Sequence, residues 1–484
     1  MHENIGVRGI WFLPFKPEAG IPGFLEYTSA KGVELQLMGI FETGRGVDHR
    51  PELINGISED GKRITLYKCS RFQRTFSTNT YETSRYDALY LFVGKHFNSV
   101  EELKFENITC VLADFDLWVG AYGFKKIESN DETRKIDIEY ERPEDLEFKV
   151  TDTINFAIRF NAEYPLGKRR SKATIIQTTG AKIWSNAGTT KFEDLLDWFQ
   201  SFQRLMTLAY FTRPLIDRVT VGLKEIPDDG EEYISAIDLY FQTDTTKDNY
   251  KSISSNNYFL FGYKEVKENF GSILKRWFMI EDLLQPTVAG LTEAFMKRSL
   301  PVEFRFLGLA QAIETFHRRT SDDAKYNNED HRGRLESILN GTSDNYKDWL
   351  KERLQYSHEP SLKARLKELA AGIPEPVKKL LCKPSVSKFL NQIRDNRNYY
   401  THYNEDLRSR VVRLSELFIL AERMKIFLVC LVLKEIGFTE KEVVKTILGK
   451  GVFIFNHIIQ HEEAQEVYKE WMKENDDTRE QNDQ

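Results

Sequence analysis

From Val7 to about Phe160 the apolar positions fall in short β-branched and aromatic runs, at Ile10 to Phe15, Val33 to Phe41, Ile64 to Cys69, Ala88 to Val93, Ile108 to Trp118 and Ile136 to Tyr140. Turn-forming residues separate them: Gly32, Asn55 with Gly56, Asp60 with Gly61, and Ser129, Asn130 and Asp131. This alternation predicts hairpin-linked strands, and the spacing of the runs predicts an antiparallel, sandwich-like sheet arrangement. Further strands are expected at Thr153 to Phe160, Ala173 to Gln177 and Ile234 to Phe241. One helix interrupts them, because Phe192, Leu195, Leu196, Phe199, Phe202, Leu205, Met206 and Ala209 recur at helical spacing before the stop at Pro214. The polar stretch Thr243 to Asn257 reads as a loop and Tyr258 to Tyr263 as one last strand, which puts a domain boundary near residue 262.

Beyond that boundary the period changes from two to about 3.6. Helices are expected over Glu265 to Leu284, Leu291 to Arg298, Val302 to Arg318, Asp330 to Leu339, Tyr346 to Tyr356, Ser361 to Ala371, Ser385 to Tyr400, Asp406 to Gly437, Glu440 to Gly449 and Phe453 to Lys473. Pro301, Pro360, Pro374, Pro376 and Pro384 fall between these segments, where a missing amide hydrogen costs least. The chain therefore reads as an α+β multidomain protein. Residues 1–262 form a β-rich domain, 263–302 a helical connector, 303–473 an all-α bundle, and the polar residues 474–484 a disordered tail.

Composition narrows the chemistry. The 484 residues carry 29% charged side chains and a formal net charge of -6, so no global basic field exists and nucleic-acid binding would have to be local. Cys69, Cys110, Cys382 and Cys430 stand far apart with no CxxC pair, so neither a disulfide framework nor a zinc knuckle is indicated and a reducing cytoplasm fits. The first residues lack a basic stretch followed by an apolar core, so no secretory signal is expected. The run Ile426 to Leu433 is too short to span a bilayer, so no membrane association is expected.

The strongest candidate for chemistry is Arg397, Asn398, Tyr399, Tyr400, Thr401 and His402. The arginine's planar, permanently charged fork suits a phosphate, the asparagine adds a neutral donor and acceptor, and the histidine moves protons near neutral pH. At about 100° per residue, Asn398 and His402 share a helical face with Asp395 and Tyr399, whereas Arg397 is displaced from His402 by about 140°. Either the arginine's long side chain swings round to the histidine's side, or the helix loosens by Thr401. A second Arg-x4-His stretch, Arg353 to His358, follows its arginine with Leu354 and is cut off by Pro360, so it serves as an internal decoy. On residue types alone, Arg397 and His402 could equally be solvated helix residues.

That Arg397–Asn398–His402 spacing, together with the helix Leu307 to Arg319 that carries Glu314 and His317, resembles the HEPN superfamily, and in particular the ApeA-type proteins of bacterial anti-phage defence. The β-rich front half is similar to the amino-terminal domain of that type. The resemblance implies a metal-independent endoribonuclease without a cofactor, in which two bundles meet in a homodimer or higher oligomer. Its targets would be cellular RNA, with tRNA among the candidates, and its β-rich domain would sense a phage-derived trigger. Arg397, Asn398 and His402 would then be catalytic, leaving 2′,3′-cyclic phosphate and 5′-hydroxyl ends.

Weaker signals complete the picture. Lys388, Arg394 and Tyr399 are candidate RNA contacts, the first two within a basic approach that includes Lys378, Lys379 and Lys383. Lys168, Arg169, Arg170 and Lys172 form a basic loop, which is more often a solvated face. Gly56 to Arg63 nearly matches a P-loop but has Arg63 at the magnesium-binding position, so it reads as a hairpin turn. His457 and His461 sit one turn apart without the HExxH glutamate, so no metal is expected. Glu314 and His317 read as an ordinary polar pair within one helix. Two rivals stand beside the ribonuclease: a non-cleaving HEPN bundle that binds nucleotides or a protein, and a β domain that carries the function with the helices serving only for oligomerisation.

Overall fold

The computed structural model describes residues 4–41, 51–75, 82–130, 132–164, 174–226, 230–247, 249–296, 300–321, 329–403, 405–450, 458 and 461–482. The basic loop Lys168 to Lys172 and His457 lie outside the described residues. The chain divides into two compact units. The first comprises Met1–Met206, Arg213–Asn256 and Gly262–Gly271, and the second Thr207–Thr212, Asn257–Phe261 and Ser272–Gln484.

In the first unit the period-two alternation becomes six antiparallel strands, β1 (Ile5–Phe12), β2 (Ile21–Thr28), β3 (Gly32–Leu37), β4 (Leu53–Ser58), β5 (Arg63–Thr75) and β6 (Thr83–Val93). Their pairing order, β1-β2-β3-β6-β5-β4 and back to β1, closes into a ring. Closure gives each of these strands a partner on both sides and encloses a core of Trp11, Leu25, Tyr27, Leu35, Leu66 and Leu91. Gly56 is required beside that core, because a β-carbon there would collide with the Trp11 ring. The near-P-loop stretch is a β4–β5 hairpin, with Gly61 at φ +82.

The remaining strands are β7 (Lys104–Phe105), β8 (Asn107–Leu112), β9 (Phe124–Asn130), β10 (Lys135–Tyr140), β11 (Leu146–Lys149), β12 (Ile154–Glu163), β13 (Ile176–Ser185), β14 (Thr190–Lys191), β15 (Ile216–Glu225) and β16 (Tyr233–Phe241). The far half of β6 pairs with β16, from which the sheet runs on as β15-β8-β13-β12-β11, twelve strands among the described residues. Helices α1 (Phe115–Val119) and α2 (Phe192–Tyr210) follow the same aromatic logic. Phe192 meets Tyr90 and Phe92 at ring centroid distances of 5.0 and 5.1 Å, and Phe202 meets Phe156 at 4.9 Å. The apolar run Ile108 to Trp118 is not one strand. Asp114 adopts φ +59 and turns the chain, so that Phe115 and Trp118 stack at 5.4 Å in α1. The β-rich front half followed by a helical half is the architecture the patterning predicts.

The second unit is helical. After α3 (Tyr263–Val266), which belongs to the first unit, come α4 (Phe270–Met296), α5 (Val302–Thr320), α6 (Glu329–Asn340), α7 (Asp344–Leu354), α8 (Leu362–Ala371), α9 (Glu375–Leu381), α10 (Val386–His402), α11 (Leu414–Glu435), α12 (Glu440–Val444) and α13 (His461–Asn482). The two helices predicted on either side of Pro286 are one kinked helix, α4, with Leu284 at the non-helical φ/ψ of -116°/21° where proline removes a backbone hydrogen bond. Tyr258 to Tyr263 forms no strand; Phe259, Leu260 and Phe261 are buried there instead. The predicted disordered tail is helical as far as Asn482.

Core burial explains the arrangement of the bundle. In α11 an unbroken run from Met424 to Leu433 is buried, so this helix is the central one, and each fully buried Leu, Ile or Phe contributes roughly 1.5–3 kcal/mol. Its partners α5 and α10 each turn one apolar stripe inward, through Phe306, Leu309, Ile313 and Phe316, and through Phe389, Leu390 and Ile393. No helix among the described residues is long and apolar enough to cross a membrane.

Candidate functional site

Helix α10 starts where Ser385 accepts a hydrogen bond from the Lys388 amide at 3.3 Å, and it ends where Tyr403 turns left-handed at φ +47. It stays helical through His402, so the helix does not loosen at Thr401, whose hydroxyl donates to the Arg397 carbonyl at 2.7 Å. Asn396, fully buried one residue before Arg397, fixes the register. Its amide donates to the Gln392 carbonyl at 2.8 Å, and its oxygen accepts from the Val412 amide at 3.1 Å, which ties α10 to the segment entering α11.

Against α10 lies α5, and between them is a cleft of about 570 Å³. Gln311, Glu314 and Arg318 line it from α5, and Arg397, Tyr400 and Thr401 from α10. Spacings of three and four residues place each set on one helical face. The Arg397 guanidinium donates to Asn398 Oδ1 at 3.3 Å and to Glu314 Oε2 at 3.4 Å. It therefore turns into the cleft rather than toward His402. His402 is exposed one turn beyond Asn398 on the same helical face, and it does not line the cleft. The structure thus brings Arg397 and Asn398 together, while the histidine looks outward.

Behind the cleft runs a chain of charges. Glu314 Oε1 accepts from Arg318 at 3.3 Å, and Glu359 accepts from both Arg318 at 2.7 Å and Arg365 at 2.9 Å. Arg365 is 4% exposed and donates to His317 Nδ1 at 3.1 Å. That contact fixes the imidazole tautomer, leaving the Nε2 hydrogen to be donated to Glu368 at 2.9 Å. Burial, followed by the charge of Glu303 and then by Tyr399 and Tyr403, raises the pKa of Tyr400, which lines the cleft.

A family model described as ApeA N-terminal domain 1 matches residues 6–277, and one described as Apea-like HEPN matches residues 307–442. The chain belongs to the ApeA-type HEPN defence proteins. Neither a curated protein nor a solved structure matches it. The HEPN match runs from α5 into α12 and contains every residue that lines the cleft, as well as Asn398 and His402. Domains of this family typically dimerise and bind RNA, and their presence marks a HEPN-type nuclease defence module.

The other candidate residues of the HEPN bundle fall less favourably. The basic approach is largely neutralised: Lys378 pairs with Glu375 at 2.8 Å, Lys383 with Glu463, and Arg394 with Asp395 at 2.7 Å. Lys388 is exposed, but nine residues before Arg397 it lies about 14 Å along the helix axis. Tyr399 is half-buried against Tyr400 and Tyr403, at centroid distances of 5.1 and 5.6 Å. The decoy His358 packs edge-on to His331 at 5.8 Å. Among the described residues no group of three or more His, Cys, Asp or Glu side chains is placed to hold a metal ion.

Glu314 is the site residue that sequence reasoning set aside. Its pairing with Arg318 is visible as an i, i+4 spacing, whereas its contact with Arg397 spans 83 positions and has no local signal.

Proposed function

We propose that this protein is a metal-independent HEPN endoribonuclease of abortive-infection anti-phage defence, acting in the cytoplasm on cellular RNA, with tRNA a candidate substrate. The observation that carries the reading is the family's Arg–Asn–His spacing, on one unbroken helix, with Arg397 turned into a polar cleft and His402 open to solvent. In the reaction the 2′-oxygen attacks phosphorus, the bond to the 5′-oxygen breaks, one proton leaves the 2′-hydroxyl and one is delivered to the 5′-oxygen. Arg397 offsets charge on the non-bridging oxygens, Asn398 orients the phosphate, and His402 carries a proton.

Arg397 and His402 present different faces, so two copies of the motif meeting across a two-fold axis would supply both functions to one phosphate. Exposed apolar side chains support such an interface: Phe304 (64% exposed), Tyr403 (65%) and Leu414 (56%). They belong to neighbouring ends of α5, α10 and α11, as the contacts of Phe306 with Tyr400 and of Arg305 with Phe418 show. All four cysteines are buried and free, in keeping with a reducing compartment. The β-rich domain is assigned the sensing of a phage-derived trigger. Removing the residues before about 262 should change the protein's toxicity, and unchanged toxicity would refute that role.

Cleavage of total RNA and of tRNA in excess EDTA tests the reading. Wild type and His358→Ala should cut and His402→Ala should not. A second reading, a non-cleaving nucleotide-binding module, is favoured by the cleft's size, which suits a nucleotide. Nucleotide binding with no RNA cleavage by wild type, even with phage lysate added, would select it.

A further inference from the structure

Resting on the ribonuclease reading, we infer that Arg318 is a second phosphate-binding residue, which seats the phosphate next to the scissile one, and that Glu314 guards both seats. Arg318 and Arg397 come from different helices and line the same cleft. One carboxylate bridges them, with Glu314 Oε1 at 3.3 Å from Arg318 and Oε2 at 3.4 Å from Arg397. Both contacts are long for charge-assisted hydrogen bonds, so the guanidiniums are shared by the carboxylate rather than tightly consumed by it. A small planar anion between two forks occupies the place that the oxygens of a phosphodiester backbone would take.

The two arginines are held differently. Arg397 is positioned by its neighbour Asn398. Arg318 is aimed by Glu359 at 2.7 Å, which the buried Arg365 holds in turn at 2.9 Å. The cation at Arg318 is therefore pre-placed rather than free to sweep the solvent, which lowers the ordering cost of binding. Counted over the Arg318, Arg397 and Glu314 side chains, the cleft carries a single net positive charge. An entering RNA backbone must compete with Glu314 for both forks, and the chain is thereby biased against adventitious anions.

The test uses the full-length protein and a fluorescent 2′-O-methyl uridine octamer, which lacks the attacking hydroxyl and stays intact, beside the single-phosphate 2′-O-methyl dinucleotide. R318Q should weaken octamer binding about five- to tenfold and reduce the slope of log affinity against log salt by about 0.7, the value of one single-strand phosphate contact. Dinucleotide binding should be unchanged. R318K should keep the salt slope, and E314Q should tighten octamer binding several-fold. Octamer binding lost in R397Q but unaffected by R318Q and E314Q overturns the second seat and leaves the ribonuclease reading standing. Octamer binding indifferent to R397Q as well overturns both.

Discussion

Replacing Arg365 by Met should destabilise the helical unit by about 3 kcal/mol. The side chain is 4% exposed, and methionine fills most of its stem, so a cavity contributes little. What is lost is the head group: the bond to Glu359 at 2.9 Å, the bond to His317 Nδ1 at 3.1 Å and the bond to the Pro360 carbonyl at 3.1 Å. Hydrogen bonds that involve a charged partner contribute about 1.5–3 kcal/mol each, and removing one partner of a buried ion pair costs about 3–5 kcal/mol. Two features hold the total at the lower end: Glu359 keeps Arg318 at 2.7 Å, and the Ser321 hydroxyl lies 3.1 Å from His317 Nδ1. For a unit of this size each kcal/mol moves the melting temperature by about 2–4 °C, so the transition of the helical unit should fall by about 6–12 °C in a calorimetric scan. The double variant Arg365→Met, His317→Leu should lose clearly less than the sum of the singles, because both sides of the Arg365–His317 contact are then apolar and no imidazole Nδ1 is left without its donor. A fall below about 2 °C in the single variant would show that the network behind the cleft stabilises nothing.

Three further expectations concern other parts of the molecule. Asn396→Ala removes the partner of the Val412 amide and should cost about 1–3 kcal/mol by urea unfolding, with loss of activity exceeding loss of folded protein at low temperature; full activity would separate this anchor from the site. Leu414→Glu, on the apolar end of the bundle, should shift the oligomer toward monomer in analytical ultracentrifugation and abolish cleavage; an active monomer would dismiss the two-copy site. Burial pushes the Cys382 thiol up to about 11, so the stability it contributes is complete below its ordinary value of 9.0 and is lost as pH rises toward 11. Cys382→Ala should therefore flatten the decline of the urea midpoint between pH 9 and 11, and an unaltered decline would refute that assignment.

The sequence made legible whatever depends on neighbours along the chain. Helix α10 was readable because Ser385 caps it and Phe389, Leu390 and Ile393 form its buried stripe, and the angular offset of Arg397 from His402 follows from helical geometry alone. The strands of the first unit were readable from alternation, but their closure into a ring was not, since β3 meets β6 and β1 meets β4 through pairings that no local pattern encodes. Ile108 to Trp118 misled because a buried strand and a buried helical turn share one apolar texture, and the break rests on a single left-handed residue, Asp114. The kink in α4 was taken for a gap because Pro286 usually ends a helix, whereas here the helix resumes beyond it. Glu314 reads from the sequence as an ordinary polar pair with His317 one turn on, whereas its partners in the structure are Arg318 and the distant Arg397.

Arg397, Asn398 and His402 are proposed to cut RNA without a metal, by attack of the neighbouring 2′-hydroxyl. The most direct test is end-group analysis of RNA cut in excess EDTA, repeated with a single 2′-deoxy nucleotide at the cleavage position. The expected products carry 2′,3′-cyclic phosphate and 5′-hydroxyl ends, with no cutting at the deoxy position. Fragments ending in 3′-hydroxyl and 5′-phosphate, or undiminished cutting at the deoxy position, would contradict that mechanism.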